Sequence, residues 1–197
     1  MGARVVIAED EALIRLDLKE TLEEEGYQVV GETGRGDDVV PLVREQRPDL
    51  AILDIKMPGQ DGLAAAAAIT SERLAAVVIL TAFSQRELVD RARESGALAY
   101  LVKPFQRNDL VPAIELALGR FEEMRALESE YKDLEERHNT RKLVERAKGV
   151  LMDEFDMKET DAFRWVQRRA MDDRTTMKSV AERVLSGELR PDLPQPQ

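Results

Sequence analysis

The chain has 197 residues, of which 43% are hydrophobic and 35% charged, a composition typical of a globular protein with one large or two modest domains. It contains no cysteine and one histidine, His138, which excludes disulfides, thiolate metal sites, cysteine nucleophiles and histidine clusters. No apolar run reaches the roughly 18 residues that a membrane helix needs, and no secretory signal begins the chain, so we expect a cytoplasmic protein with no membrane partner.

The net charge of −10 is unevenly distributed along the chain. Residues 1–136 carry 16 Lys/Arg against 28 Asp/Glu, whereas residues 137–187 carry 12 Lys/Arg against 9 Asp/Glu. An acidic first part and a mildly basic second part indicate two domains with different partners.

Five short apolar segments alternate with longer amphipathic stretches over the first 120 residues. They are rich in Val, Ile and Leu, with little polar alternation, which is typical of parallel strands that are covered on both faces. We therefore predict a doubly wound α/β domain with a five-stranded parallel sheet. The predicted strands are residues 5–8, 28–31, 50–53, 77–80 and 98–102.

The pattern changes to continuous helix after residue 108. Apolar residues at steps of three or four predict a long linker helix at 108–140 that packs against a partner helix, although a single solvated helix is an alternative. Three short helices fit residues 137–187, and the second has an apolar face of Phe163, Val166 and Ala170. The Pro-rich residues 188–197 predict a disordered tail.

Acidic, hydroxyl and ammonium side chains follow the ends of the predicted strands. Glu9 and Asp10 follow the first strand, Asp54 the third, Thr81 the fourth and Lys103 the fifth. Because ligand sites of open α/β sheets lie beyond the carboxyl ends of the strands, we expect these side chains to form one site. Clustered carboxylates favour a hard divalent cation such as Mg²⁺, and one carboxylate can then attack a phosphoryl donor.

These features together resemble the receiver domain of two-component response regulators, here assigned to residues 1–120. The resemblance is carried by Glu9-Asp10, by the segment 54–62, by Thr81-Ala82 and by the segment 103–105. It implies the flavodoxin-like strand order 2-1-3-4-5 and a sensor histidine kinase as partner.

The resemblance also implies a role for each residue of the metal site. Asp54 accepts the phosphoryl group. Asp10, Asp54 and the main-chain carbonyl of Lys56 hold Mg²⁺, and Glu9 acts through water. Taken singly, these carboxylates are also compatible with a helix cap and a surface turn.

Three further residues receive roles from the same resemblance. Thr81 and Lys103 bind the phosphoryl oxygens, and the Lys103–Pro104 peptide bond is cis. Tyr100 occupies the position of an aromatic switch, whose ring turns inward when Thr81 moves toward the phosphate. A tyrosine at a strand end is also compatible with simple packing.

Residues 137–187 resemble the ANTAR domain, a three-helix module of transcription antitermination regulators. The resemblance rests mainly on the segment 146–152, with Ala162-Phe163 and Val180-Ala181. It implies binding of structured RNA stem-loops. Phosphate contacts need cations, and the residues that we expect to supply them are Arg141, Lys148, Arg164 and Arg168. Gly149, inside a predicted helix, indicates a close approach by another helix or by RNA, and we favour helix packing.

Two other output functions fit the same helices. They could bind duplex DNA, although no helix begins with the Arg, Asn and Gln residues of a recognition helix, or they could dock a protein. An enzymatic output is not expected, because residues 137–187 lack a nucleophile–base set, which leaves only Mg²⁺-dependent self-phosphorylation and dephosphorylation. The apolar stripe of the linker helix predicts that phosphorylation promotes a homodimer, with Gly119 as a hinge.

Overall fold

The computed structural model describes residues 2–82 and 95–191 and divides into two compact units. Unit 1 spans Met1–Ala126 and unit 2 spans Leu127–Gln197. Each unit contains hydrophobic core of its own. Within the described ranges, no helix is long and apolar enough to cross a membrane.

Unit 1 is built on a five-stranded sheet whose hydrogen-bonded neighbours are all parallel. The strands are β1 (Arg4–Ala8), β2 (Gln28–Thr33), β3 (Leu50–Asp54), β4 (Ala76–Thr81) and β5 (Ala99–Val102). Their order in the sheet is β2-β1-β3-β4-β5. This order confirms the predicted doubly wound α/β fold.

Helices cover both faces of the sheet. On one face α1 (Ala12–Glu24) packs Leu18 and Leu22 against alternate residues of the central strands. The other alternate residues face α2 (Gly36–Gln46) and α3 (Gly62–Ser71). Because both faces are covered, β3 and β4 are buried along their whole length. Residues 83–94, between β4 and β5, lie outside the described residues.

The helix that follows β5 is α4 (Arg107–Phe155), which is 49 residues long. Its first part adds Leu110, Ile114 and Ala117 to the core on the α1 face of the sheet. Its last part adds Val144, Ala147 and Leu151 to the core of unit 2. The linker helix predicted at 108–140 and the first predicted output helix are therefore one helix. Neither Gly nor Pro occurs between residues 120 and 148 to interrupt it.

Unit 2 is completed by α5 (Glu159–Asp172) and α6 (Met177–Leu185). Asp156 and Arg174 adopt positive φ angles of 51° and 50° in the two turns. The Thr176 hydroxyl caps α6 by accepting a hydrogen bond from the Ser179 N–H at 3.2 Å. The three-helix output unit agrees with the predicted arrangement. Its buried residues are Val144, Ala147, Leu151, Ala162, Val166, Ala170, Val180, Ala181, Val184 and Leu189.

Two of our predictions for unit 2 differ from the structure. The predicted disordered tail begins too early, because Leu189 is buried in the core and its N–H donates to the Arg183 carbonyl at 3.0 Å. Residues 192–197 of that tail lie outside the described residues. Close helix packing does not explain Gly149, because a Cβ atom there would have no neighbour within 4 Å.

Candidate functional site

Three carboxylates meet beyond the carboxyl ends of β1 and β3. One oxygen from each of Glu9, Asp10 and Asp54 lies within 4.8 Å of the other two. The two strands are neighbours in register, so the residues that follow them share one edge of the sheet. Glu9 and Asp54 are buried, whereas Asp10 is exposed. The structure therefore brings together the acidic residues that the sequence placed in one site.

The backbone of Glu9 is held on both sides. Its N–H donates to the Thr33 carbonyl at 3.0 Å, and the guanidinium of Arg15 donates to its carbonyl oxygen. This role of Arg15 cannot be predicted from the sequence pattern, because the contact depends on how the start of α1 lies against the end of β1.

Lys103 bridges two of the carboxylates. Its Nζ lies 2.5 Å from Glu9 Oε2 and 3.0 Å from Asp54 Oδ1, and all three side chains are at most 11% exposed. The N–H of Lys103 donates to the Thr81 carbonyl at 2.7 Å, and the Lys103–Pro104 peptide bond is cis, as expected. The end of β5 thus carries an ammonium group into the acidic cluster.

Burial and charge act in opposite directions on these groups. Burial raises the pKa values of the Glu9 and Asp54 carboxyls, although the Lys103 ammonium partly offsets the rise. Burial alone would lower the pKa of Lys103, but its hydrogen bonds to Glu9 and Asp54 outweigh that effect and raise it. The ammonium therefore stays charged, because its positive charge is stabilised by the two carboxylates beside it.

A cavity of about 180 Å³ opens at this cluster. The loop that leads from β3 to α3 folds back over Asp54, since a Cβ atom on Gly62 would lie 1.9 Å from the Asp54 carbonyl oxygen. The Asp61 side chain then caps α3 by accepting from the Leu63 N–H at 2.9 Å. The lining residues are Asp10, Glu11, Asp54, Ile55, Lys56, Thr81, Ala82 and Lys103.

The donor set of the cavity suits a divalent cation. The carboxylates of Glu9, Asp10 and Asp54 lie together, and the Lys103 ammonium contacts only Glu9 and Asp54 among them. The acidic groups at this opening to solvent therefore outnumber the ammonium groups that line it. Hard oxygen ligands of this kind are those that Mg²⁺ prefers. Lys56 lines the same cavity, and the role of its main-chain carbonyl stays a prediction.

Thr81 and Tyr100 are placed differently. Thr81 is 3% exposed and lines the cavity. Tyr100 is 48% exposed on β5 and is not among the cavity's lining residues. Its role as a switch stays a prediction.

In unit 2, one predicted RNA-binding cation points inward. The Lys148 side chain is 7% exposed, and its Nζ lies 2.9 Å from a Glu145 oxygen and 2.8 Å from Glu159 Oε1. Its hydrogen bonds to Glu145 and Glu159 raise its pKa. Lys148 therefore joins α4 to the start of α5, and its ammonium reaches a phosphate only if these pairs break.

The other three predicted cations of unit 2 are exposed. Among the residues that the structure describes, none offers Arg141, Arg164 or Arg168 a side-chain hydrogen bond or ion pair. Phe163, expected on the buried face of α5, is instead 42% exposed, because Ala162 takes the buried position beside Val166. The apolar spacing alone did not distinguish these adjacent residues.

The bridge between Lys103 and the two buried carboxylates leads to a test of stability. In metal-free protein we expect Lys103→Met to lower the free energy of unfolding at pH 7.5 by about 3 kcal/mol, because it leaves two buried charges without their partner. A carboxyl with a raised folded-state pKa binds its proton more readily when folded, so acidification to pH 5 should restore part of the loss. Urea unfolding with a chelator present measures both values.

The matched control for this test is Lys19→Met. The ammonium of Lys19 lies 3.7 Å from Glu32, and both side chains are at least 35% exposed. This variant should change the unfolding free energy by less than about 1 kcal/mol at either pH. A Lys103→Met loss that does not depend on pH would contradict the role assigned to the bridge.

Two family models match the chain. The response regulator receiver domain matches residues 5–115, and the ANTAR domain matches residues 132–185. The first covers unit 1 from β1 to the early part of α4, and the second covers the three helices of unit 2.

Known proteins match the chain at two levels. The transcriptional regulatory protein PdtaR of Mycobacterium tuberculosis is 63% identical over 182 residues, which is 92% of this chain and 89% of that protein. The chemotaxis protein CheY of Thermotoga maritima is 36% identical over 115 residues, 58% of this chain and 96% of that protein. Among solved structures, the signal receiver domain of the response regulator NarL from Mycobacterium tuberculosis is 32% identical with a TM-score of 0.58, covering 60% of this chain and 97% of that domain.

The matches to single-domain proteins account for unit 1, and the match to PdtaR extends through both units. The order of elements, the acidic cluster with Lys103 and the three-helix second unit all agree with these similarities. The chain therefore belongs to the two-component response regulators in which a phosphorylation-dependent receiver domain is joined to an ANTAR output domain.

Proposed function

We propose that this response regulator takes a phosphoryl group from a sensor histidine kinase onto Asp54 and, in response, binds RNA stem-loops to control transcription antitermination. The observation that carries the proposal is the contrast between two sites: an acidic cluster bridged by the Lys103 ammonium in unit 1, and exposed arginines in unit 2 that have no carboxylate partner among the described residues. Because the proposed partner is RNA, we also propose a cytoplasmic location.

The proposed phosphoryl step uses the residues of the cavity. An Asp54 oxygen forms a bond to phosphorus while the P–N bond of the kinase phosphohistidine breaks, and the electron pair stays on the imidazole nitrogen. The Lys103 ammonium and the Thr81 hydroxyl bind the phosphoryl oxygens. Mg²⁺, held by Asp10, Asp54 and the Lys56 carbonyl with Glu9 acting through water, would supply the further positive charge that the transfer needs. We propose no catalysis beyond the chain's own phosphorylation and dephosphorylation.

The RNA-binding proposal rests on the exposed arginines of unit 2. Arg164 and Arg168 lie four residues apart on α5 and so share one face of that helix. Cations that are already paired with carboxylates would lose that pairing on binding phosphate, but these two have no such pairing to lose among the described residues. Lys148 is left out of the proposed contact surface, because it is held by Glu145 and Glu159.

Phosphorylation at Asp54 is tested by substitution. Asp54→Asn removes the attacking oxygen while keeping the shape of the side chain, so no phosphoryl adduct should form with acetyl phosphate and Mg²⁺. Intact-mass spectrometry shows the adduct directly. Asp17→Asn, which removes an exposed carboxylate on α1, should be phosphorylated like the wild type. A stable adduct on the Asp54→Asn variant would refute the assignment, and an adduct that forms equally well with a chelator present would refute the requirement for Mg²⁺.

RNA binding is tested with the arginines of α5. Arg164→Gln and Arg168→Gln should each weaken binding to an RNA hairpin and reduce the slope of log affinity against log salt concentration by about 0.7–0.9. Arg169→Gln is the matched control, because Arg169 lies on the same helix but is paired with Asp173 at 3.1 Å. Gel shifts at several salt concentrations measure both quantities.

The same gel shifts separate the proposal from its alternatives. Tighter binding to duplex DNA than to hairpin RNA would favour a DNA-binding regulator over an antitermination protein. Failure to bind either nucleic acid would favour a protein-docking output. An equal loss of affinity in all three arginine variants would show that only the total charge matters.

A further proposal concerns self-association. Leu127, Tyr131 and Leu134 lie at helical spacing on α4 and are each at least 66% exposed, so one face of this helix presents apolar surface to solvent. We expect phosphorylation to promote pairing of two chains through this face.

Pairing is tested by placing a charge on that face. Leu134→Glu should keep the phosphorylated chain monomeric in sedimentation at micromolar concentration, because a carboxylate is costly to bury in an apolar contact. Ser129→Glu adds the same charge two residues from both Leu127 and Tyr131, off their face, and should not change pairing. A wild-type chain that remains monomeric in both states, with full RNA affinity, would contradict the proposal.

A further inference from the structure

Unit 2 contains an open groove that the proposed arginine face of α5 does not account for. The groove has a volume of about 600 Å³ and is formed by α4 together with the starts of α5 and α6. A volume of this size lies within the range of small-molecule and cofactor sites. All of its lining residues belong to unit 2.

Phe163 places an aromatic ring in this groove. Its side chain is 42% exposed, although Ala162 and Val166 beside it are completely buried. An exposed aromatic ring has apolar faces that are only partly covered, and a flat partner can stack on them. In proteins that bind single-stranded RNA, unpaired bases stack on rings of this kind.

The charged residues of the groove are of both signs. Arg137 and Arg141, one helical turn apart on α4, are exposed, and no side-chain partner for either is found in the described part of the chain. Asp133, Glu136 and Glu145 line the same groove. Carboxylates repel a phosphate but accept hydrogen bonds from the amino groups of bases, whereas arginines bind phosphate and the acceptor atoms of bases.

We propose that the groove receives one unpaired, amino-bearing base from the loop of the RNA hairpin. The base stacks on Phe163, its amino group donates to a groove carboxylate, and Arg137 and Arg141 bind the adjoining phosphates. This inference rests on the proposed RNA-binding function and adds to it a subsite that reads a single base. The mixed charge argues against a purely apolar occupant such as the exposed stripe of a second copy. Such a surface would leave four charged groups of the groove without partners, whereas the fifth, Glu145, is paired with Lys148.

The test measures hairpin RNA affinity for Phe163→Ala and Phe163→Leu. Phe163→Leu keeps apolar bulk but removes the ring, so both variants should raise the dissociation constant about tenfold. Neither should change the salt slope, because stacking releases no counterions. Met171→Ala is the matched control, since Met171 is 69% exposed on the same helix and does not line the groove. Circular dichroism and the fluorescence of Trp165 confirm that each variant is folded.

Altered RNAs identify the base that enters the groove. When the loop bases are removed one at a time, wild-type binding should weaken for the loss of one of them. The RNA that lacks this base should be bound equally well by the wild type and by Phe163→Ala. Uracil at that position should bind more weakly than an amino-bearing base.

The outcomes distinguish this inference from the function on which it rests. If the wild type binds no hairpin RNA, the proposed function itself fails. If it binds hairpins and the Phe163 variants bind equally well, the base subsite alone is overturned. A Phe163→Ala variant that changes self-association without changing RNA affinity would also overturn the base subsite, because the groove would then be an interface with a second copy of the chain.

Discussion

The ammonium of Lys103 lies between two buried carboxylates, 2.5 Å from Glu9 and 3.0 Å from Asp54, and the acidic cluster at this end of the sheet depends on the contact. Burying a carboxylate without a partner is strongly unfavourable. The ends of β1, β3 and β5 must therefore come together for the site to exist. The parallel order β2-β1-β3-β4-β5 does this by bringing residues from distant parts of the chain to one edge. Asp10, by contrast, is exposed at the opening of the cavity, where a cation can enter.

The second unit uses its charged groups in another way. Lys148 on α4 pairs with Glu145 of the same helix and with Glu159 at the start of α5, so it links the two helices. By contrast, Arg141, Arg164 and Arg168 have no side-chain partner among the described residues. Residues 137–187 carry 12 Lys/Arg against 9 Asp/Glu, a net charge of only +3, yet in this way they present several exposed cations. The rest of the chain is net acidic, so attraction of a polyanion has to be local to these residues.

Most of the receiver could be predicted from the sequence, because its strands are continuous apolar runs and its polar residues directly follow them. The places of Asp54, Thr81 and Lys103 at strand ends identify them in the sequence, and the parallel order of the strands then brings them together. The contacts of the output unit are harder to predict from the sequence. The partner of Lys148 across the turn, Glu159, is eleven residues away, and helical spacing does not reveal such a contact. The exposure of Phe163 depends on the rotation of α5 by one position, which a short apolar pattern does not determine.

If phosphorylation of Asp54 controls RNA binding by unit 2, as we propose, the two events are thermodynamically coupled. The dissociation constant for one RNA hairpin pair, measured at fixed salt concentration with the full chain before and after complete phosphorylation, tests this coupling. Control by the receiver predicts at least tenfold tighter binding after phosphorylation, a coupling of about 1.4 kcal/mol. Equal dissociation constants in the two states would contradict it, because the receiver would then exert no control over RNA binding.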